Sequence, residues 1–252
     1  MLRRIAKKVR RTFAGKSNAQ FQASSRDDLV EVFSDDLVRV TALGDLNCPN
    51  IFLCFTGVKQ GMGGIGAEEF VGSTRMPDFC ALFVSDLKRS WFNSFPESHL
   101  VEAIGDIVEG KRIVTVGNSM GGYGAIWATK PFPVETAIAF APQFSVHPDV
   151  VPEETRWEEW RRDISIWRHR SLETYFNDET KYFTFNGDDD ALHWSHFPTK
   201  PNTEHFLLPN SGHAPAAMLK DAGVLTATIE SCVAGVSPME ILQHHIPGIR
   251  YL

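Results

Sequence analysis

The sequence predicts an α/β fold in which a mostly parallel, twisted sheet is covered by helices on both faces. Two observations lead to this prediction. Short apolar runs typical of strands alternate with stretches of helical periodicity, and one of these runs passes through a glycine-rich turn directly into a helix. Alternating β and α units need crossover connections, which place helices on both faces of a parallel sheet. The 252 residues suffice for one large domain of this kind.

Composition and charge exclude several other classes of protein. Hydrophobic residues make up 43% of the chain, which is too many for a disordered protein, and no apolar run is long enough to span a bilayer. The net charge of −6 is unevenly spread: residues 1–16 hold seven Lys or Arg and no acid, which leaves 18 basic against 31 acidic residues elsewhere. An acidic body argues against nucleic-acid binding.

The four cysteines, at positions 48, 54, 80 and 232, include no C-x-x-C pair. A zinc or thioredoxin-type site is therefore not predicted. Cys54 and Cys80 lie in apolar runs typical of strands, which indicates thiols of the core. Because the sequence shows no secretory apolar region, we expect reduced thiols and a cytoplasmic protein.

Residues 1–28 form a basic arm and linker ahead of a domain at 29–252. Apolar residues recur at helical spacing among the basic ones of the arm: Leu2, Ile5, Val9 and Phe13. This pattern predicts a helix that lies on an anionic membrane surface, an address segment, or a solvated arm that contacts the body or another subunit. The sequence does not indicate the oligomeric state.

The first half of the domain begins with a predicted hairpin. Residues 29–33 and 37–43 alternate apolar and polar around a short polar turn, and a buried strand follows at 50–55. The glycine-rich run at 61–66 lacks the ending of a phosphate loop, so we expect a mobile loop near the mouth of a site. A strand at 79–84 and a helix at 96–109 complete this half. The apolar face of that helix consists of Leu100, Ile104, Ile107 and Val108.

The stretch at 111–128 is central to the functional argument. A short apolar strand leads into Gly117-Asn118-Ser119-Met120-Gly121-Gly122, and a helical stretch follows. A serine between strand and helix adopts a strained backbone that projects its hydroxyl away from the sheet. Glycines flank it because a Cβ would collide with neighbouring backbone. The N-terminus of the helix favours the negative charge of a tetrahedral intermediate.

The second half contains three further strands, predicted at 134–141, 181–185 and 203–208. Between the first two, four apolar residues repeat at helical spacing: Trp157, Trp160, Ile164 and Trp167. Such a stripe serves either as a roof over a site or as ordinary core. The last strand precedes a loop with His213 and an apolar helix predicted at 216–233.

The run Gly117-Asn118-Ser119-Met120-Gly121-Gly122 resembles the nucleophile elbow of α/β-hydrolase esterases, many of which carry S-M-G-G-x-x-A. The resemblance covers about residues 29–235. It implies the α/β-hydrolase fold, with 149–178 as a small helical cap. The family places serine, acid and histidine in that chain order, which implies a triad of Ser119, Asp190 and His213. Asp188 is the alternative acid of the same turn.

The same resemblance implies an oxyanion hole formed by the backbone N–H groups of Met120 and Val58. Gly57 is the alternative to Val58, and Thr56 stands where the family usually has histidine. The candidate substrate contacts are Gly57, Tyr123, Trp160 and Trp167.

The implied activity is that of a serine hydrolase, which cleaves a carboxylic ester of a small molecule through an acyl-enzyme on Ser119. No cofactor and no metal are implied. A thioesterase, acyltransferase, amidase or lactonase using the same triad stays open, as does a non-catalytic binding protein on this fold.

Overall fold

The computed structural model describes residues 28–58 and 68–252. The basic arm at 1–16 and the glycine-rich run at 61–66 lie outside the described residues. The predictions of a membrane-binding or subunit-contacting arm and of a mobile loop therefore stay predictions.

One sheet contains every strand of the described part of the chain, in the order β1-β2-β4-β3-β5-β6-β7-β8-β9. The five neighbouring pairs from β4 to β8 are parallel, while β1, β2 and β9 pair antiparallel at the two edges. The predicted mostly parallel sheet is thus confirmed. The strands are β1 Val30–Ser34, β2 Val38–Leu43, β3 Asn50–Phe55, β4 Phe79–Asp86, β5 Arg112–Asn118, β6 Val134–Phe140, β7 Lys181–Gly187, β8 Thr203–Leu208 and β9 Arg250–Tyr251.

Helices cover both faces of this sheet, as predicted. Alternating residues of a strand face opposite sides, and accordingly Leu53 of β3 packs into one apolar cluster while Phe52 packs into the other. Helices α1 and α2 join the first cluster, and α5 to α7 join the second. The helices are α1 Glu97–Val108, α2 Met120–Trp127, α3 Glu158–Arg161, α4 Ala191–Trp194, α5 Pro215–Asp221, α6 Leu225–Val233 and α7 Met239–His245. None of them is both long and apolar enough to cross a membrane.

Helix α1 follows the sequence pattern closely. Its four buried residues are those of the predicted apolar face: Leu100, Ile104, Ile107 and Val108. Glu97 in the first turn complements the helix dipole. The chain leaves the helix at Gly110, whose φ of +69° suits glycine in the left-handed region.

Two predicted helices differ from the structure. The single helix expected at 216–233 is two helices, α5 and α6, because the chain turns between them at Gly223 with a φ of +73°. In the segment 149–178 the tryptophan stripe does not form one helical face, since the only helix there is the single turn α3. The indoles have different partners: Trp157 lies against His213, and Trp167 against His147. Because the indoles have separate partners, the segment packs against the rest of the domain mostly as irregular chain.

The expectation of reduced thiols was wrong at one pair. Cys48 and Cys80 form a disulfide with a Cα–Cα distance of 6.1 Å, so Cys80 is not a free core thiol. Pairing of Asn50 with Phe79 at the start of β3 and β4 brings the two cysteines together. Cys54 is a buried thiol, as predicted, and burial raises its pKa.

Candidate active site

The candidate site is built around the turn between β5 and α2. Ser119 lies between the two elements with a φ of +59°, which is uncommon for any residue other than glycine. A Cβ on Gly117 would lie 2.0 Å from the carbonyl oxygen of Gly121, and a Cβ on Gly121 would lie 2.1 Å from that of Phe55. The turn is therefore possible only with glycine at both positions, and it holds the serine at the carboxyl edge of the sheet.

The structure brings the three predicted triad residues together. Oγ of Ser119 lies 2.8 Å from Nε2 of His213, and Nδ1 of the same ring lies 3.0 Å from Oδ2 of Asp190. Ser119 is buried and the His213 side chain is 21% exposed, so the ring remains open to an incoming molecule. A hydroxyl, a base and a carboxylate in this order can activate a serine for attack on a carbonyl carbon.

Each of the three aspartates after β7 has a different role. Asp188 accepts a hydrogen bond from the backbone N–H of Asn210 over 2.9 Å, and Asp189 accepts one from Gly212 over 2.8 Å. Both carboxylates thus hold the loop that follows β8. Asp190 alone contacts the ring of His213, so the geometry favours it over Asp188 as the acid of the triad.

A charged network surrounds Asp190. Arg156 donates to Asp190 over 3.0 Å and also pairs with Glu154, which in turn lies 2.8 Å from Nε2 of His193. Burial acts to raise the pKa of Asp190, but the hydrogen bonds from His213 and Arg156 outweigh it and hold this pKa well below its usual range. The same balance of burial against hydrogen bonds lowers the pKa of Glu154 to about 2. Both carboxylates are therefore ionised at neutral pH.

A further polar side chain contacts Ser119. Gln143, which follows β6, is fully buried, and its amide nitrogen donates to Oγ of Ser119 over 2.9 Å. The same nitrogen lies 3.2 Å from Nε2 of His213. The amide oxygen accepts from the indole nitrogen of Trp91 over 3.1 Å.

Two of the candidate oxyanion donors, Met120 and Gly57, lie beside the turn that carries Ser119. Met120 is the first residue of α2, so its N–H group has no partner within the helix. Gly57 packs against the end of β5, where a Cβ would lie 3.0 Å from the carbonyl oxygen of Asn118. Its N–H donates to the Glu69 carboxylate over 3.4 Å. The Val58 side chain is buried in the first apolar cluster, and the choice of Val58 over Gly57 as the second donor stays a prediction.

The predicted substrate contacts Tyr123, Trp160 and Trp167 have different surroundings. Tyr123 is 1% exposed and its hydroxyl donates to the carbonyl of His169, a placement in the core that argues against a substrate contact. Trp167 packs against His147, with ring centroids 4.7 Å apart. The indole of Trp157 contacts the ring of His213, with centroids 5.2 Å apart. Trp160 in turn contacts Trp157, with ring centroids 6.1 Å apart.

Sequence reasoning missed three residues of this site, Trp91, Gln143 and Arg156, and it named Trp157 only as a member of the tryptophan stripe. A signal existed for Gln143, the one polar residue in the apolar run Phe140–Phe144, which follows a parallel strand. Sites in such sheets lie at the carboxyl ends of the strands. No comparable signal marked Arg156, because five arginines alternate with acids in that segment.

No metal site accompanies these residues. Within 28–58 and 68–252, no group of three or more His, Cys, Asp or Glu side chains is placed to hold an ion.

Comparison with known proteins gives likeness in structure only. No protein-family profile matches the sequence, and no curated protein sequence matches it. Among solved structures, carboxylesterase CesB from Bacillus subtilis aligns with a TM-score of 0.53 at 14% identity, over 93% of this chain and 97% of its own. Est1E from Butyrivibrio proteoclasticus aligns with a TM-score of 0.52 at 12% identity, over 82% of this chain and 99% of its own. The capsule O-acetyltransferase of Neisseria meningitidis serogroup A aligns with a TM-score of 0.54 at 13% identity, over 84% of this chain and 97% of its own. Likeness at such identities establishes the shared fold.

Proposed function

We propose that this chain, which has the α/β-hydrolase fold, is a serine hydrolase that cleaves a carboxylic ester through an acyl-enzyme on Ser119. The observation that supports this proposal most strongly is the hydrogen-bonded order of Ser119, His213 and Asp190, with contacts of 2.8 and 3.0 Å. Titratable side chains converging on a strained serine at the start of a helix match the requirements of acyl transfer.

In the first half of the proposed reaction, Oγ of Ser119 attacks the ester carbonyl carbon while Nε2 of His213 takes its proton. A tetrahedral intermediate forms, and the bond to the alcohol then breaks as His213 returns the proton to the departing oxygen. Asp190 stabilises the imidazolium ion, because it is ionised and lies 3.0 Å from Nδ1.

In the second half, a water molecule attacks the acyl-enzyme after giving a proton to His213. The carbonyl carbon separates from Oγ, and the same proton passes back to Ser119. The N–H groups of Met120 and Val58 are the proposed donors to the oxyanion in both halves. Losing one such donor typically costs about 3 kcal/mol of transition-state stabilisation.

The decisive experiment is covalent labelling with a fluorophosphonate probe, which reacts with an activated serine. We expect wild-type protein to gain the mass of one phosphonyl group and Ser119→Ala to gain none. Ser145→Ala is the matched control, since this serine is also buried, and its hydroxyl donates to the Arg170 carbonyl and accepts from the backbone N–H of His147. Wild-type protein that neither takes the label nor hydrolyses any ester in a series of acyl chain lengths would refute the proposal.

A further inference from the structure

The amide group of Gln143 lies in the candidate site, and both its nitrogen and its oxygen form hydrogen bonds. Its nitrogen contacts Oγ of Ser119 at 2.9 Å and Nε2 of His213 at 3.2 Å, while its oxygen contacts Trp91. Gln143 is 0% exposed, so water does not compete for these contacts. A buried amide costs free energy unless its polar atoms are paired, and here one partner is the proposed nucleophile itself.

The orientation of this amide follows from the chemistry of its partner. The indole nitrogen of Trp91 can only donate a hydrogen bond. The atom that faces it 3.1 Å away must therefore be the amide oxygen, and the NH₂ group must face Ser119 and His213. Before proton transfer the single lone pair of Nε2 accepts from the Ser119 hydroxyl, so the amide donates its hydrogen bond to Oγ, and Nε2 lies beside the amide nitrogen at 3.2 Å.

A strained turn holds Trp91 in place. Arg89, Trp91 and Phe92 all have φ between +50° and +61°, a conformation that side chains other than glycine rarely adopt. The buried carboxylate of Asp86, at the end of β4, stabilises this turn by accepting from the backbone N–H groups of Ser90 and Phe92 over 2.7 and 2.9 Å. Backbone strain of this kind persists only where surrounding contacts enforce it.

We propose that Gln143 is a catalytic residue of the reaction proposed above, because it donates a hydrogen bond to Oγ of Ser119, and that Trp91 is the positioning residue that fixes its amide. This inference rests on the proposed acyl chemistry. When Ser119 loses its proton to His213, the amide stabilises the charge that develops on Oγ. In deacylation the bond between Oγ and the carbonyl carbon breaks, and the amide stabilises Oγ again until His213 returns the proton.

The contact itself is tested without any substrate. In a ¹H–¹⁵N spectrum of the intact protein, the side-chain NH₂ signals of Gln143 should shift in Ser119→Ala, which removes the acceptor. They should also shift in Trp91→Phe, which removes the donor to the amide oxygen. Tyr182→Phe is the control, because it removes another fully buried donor, one directed at the Tyr175 carbonyl. Unchanged Gln143 signals in Ser119→Ala would overturn the contact, whatever the protein catalyses.

The catalytic role is tested with Gln143→Met and Gln143→Glu. The first keeps the length of the side chain without polar hydrogens. The second keeps its shape and can still accept from Trp91, but as a carboxylate it cannot donate to Ser119. We expect kcat and the rate of fluorophosphonate labelling to fall about 10- to 100-fold with little change in KM, the usual effect of losing a hydrogen bond to a charged oxygen. Circular dichroism and thermal unfolding report whether each variant folds.

The outcomes separate the two proposals. If wild-type protein takes the probe and folded Gln143→Met takes it at the same rate, Gln143 is only a buried structural residue and this inference is wrong. If wild-type protein takes no probe and hydrolyses no ester, the proposed function fails, and the catalytic role of Gln143 fails with it.

A double-mutant cycle tests the role of Trp91. Trp91→Phe should lower kcat several-fold alone and cause no further loss in the Gln143→Met background, since a positioning residue acts only through its partner. Tyr182→Phe should leave kcat unchanged in both backgrounds. Equal losses from Trp91→Phe in both backgrounds would show that Trp91 acts by another route.

Discussion

Arg156 donates a hydrogen bond to Oδ2 of Asp190 over 3.0 Å, and this is the same oxygen that faces the ring of His213. The guanidinium also pairs with Glu154, a side chain with no exposed surface. One cation therefore links the acid of the candidate triad to a second, buried carboxylate. The arrangement keeps both carboxylates ionised and ties the segment after β6 to the turn after β7.

Removing this cation should destabilise the protein. In Arg156→Gln, the carboxylate of Glu154 would remain buried without its cationic partner, and breaking a fully buried pair in this way costs about 3–5 kcal/mol. Because the Arg156 side chain is 36% exposed, we expect a smaller loss of about 2 kcal/mol in the free energy of unfolding, measured by urea denaturation at pH 7. Arg170→Gln is the control, since it breaks an exposed pair with Asp149 and should cost about 0.5 kcal/mol or less. Equal losses of unfolding free energy in the two variants would contradict a stabilising role of Arg156 in this network.

The acid of the triad can be identified by two matched substitutions. Asp190→Asn should lower kcat by about 10³- to 10⁴-fold, because an amide does not hold the catalytic tautomer of His213. Asp188→Asn removes a carboxylate that accepts from the Asn210 backbone and should change kcat only slightly. Steady-state kinetics on one soluble ester compares them. Loss of activity in Asp188→Asn with retention in Asp190→Asn would reverse the assignment.

The fold could be predicted from local patterns because strands and turns of this sheet are specified by short stretches of sequence. The apolar face of α1 and the position of Ser119 between strand and helix followed from periodicity and glycine placement. The chain order of serine, acid and histidine came from resemblance to a family. It led to Ser119 and His213, and the same turn offered both Asp188 and Asp190.

The remaining features depend on contacts between distant parts of the chain. Cys48 and Cys80 meet only because β3 and β4 pair in one register. Trp91 and Gln143 are 52 positions apart and meet only in the folded molecule. The tryptophan stripe had helical spacing, yet Trp157 and Trp167 pack against different histidines. Tertiary contacts overrode the local pattern there.

The glycines of the elbow should be intolerant of any side chain. A Cβ on Gly121 would lie 2.1 Å from the Phe55 carbonyl oxygen, a backbone atom that cannot move without distorting β3. Gly121→Ala should therefore lose several kcal/mol of unfolding free energy or fail to fold. Gly105→Ala, in the middle of α1, meets its nearest neighbour at 3.6 Å and should gain about 0.5–1 kcal/mol. Thermal unfolding measures both, and a folded, active Gly121→Ala would contradict the packing.

Stability should fall as the pH decreases from 6.5 toward 4. Burial lowers the pKa of His169 from 6.5 to about 4, although Glu97 opposes this shift. In that window the unfolded chain binds a proton at this residue that the folded protein does not, so acidification favours unfolding. The contribution of His169 is complete above pH 6.5, and its loss amounts to about 3 kcal/mol by pH 4.

Urea denaturation at intervals of pH tests this expectation. Burial also lowers the pKa of His147, His193 and His205, so the free energy of unfolding of the wild-type protein should depend steeply on pH. In His169→Gln this dependence should be shallower. His244→Gln is the control, because that side chain is exposed and its replacement should leave the slope unchanged. Identical slopes in all three proteins would refute the role of His169.

The last prediction concerns the indole that packs against His213. Trp157 is 9% exposed and contacts the rings of His213 and Trp91, at centroid distances of 5.2 and 6.4 Å. A large apolar ring beside the base offers contact area to an apolar part of the substrate. We therefore expect Trp157→Leu to lower kcat/KM for a hexanoyl ester about tenfold more than for the acetyl ester, the effect of losing about 1.4 kcal/mol of apolar contact.

Trp167→Leu is the matched control for this substitution. It removes a partly buried indole that packs on His147, so it should reduce stability without changing the preference between the two esters. Acyl-chain selectivity is the measured quantity, because general damage to the fold would lower both rates together. If Trp167→Leu altered this selectivity and Trp157→Leu did not, the substrate would contact Trp167, one of the substrate contacts expected from the sequence, and not Trp157.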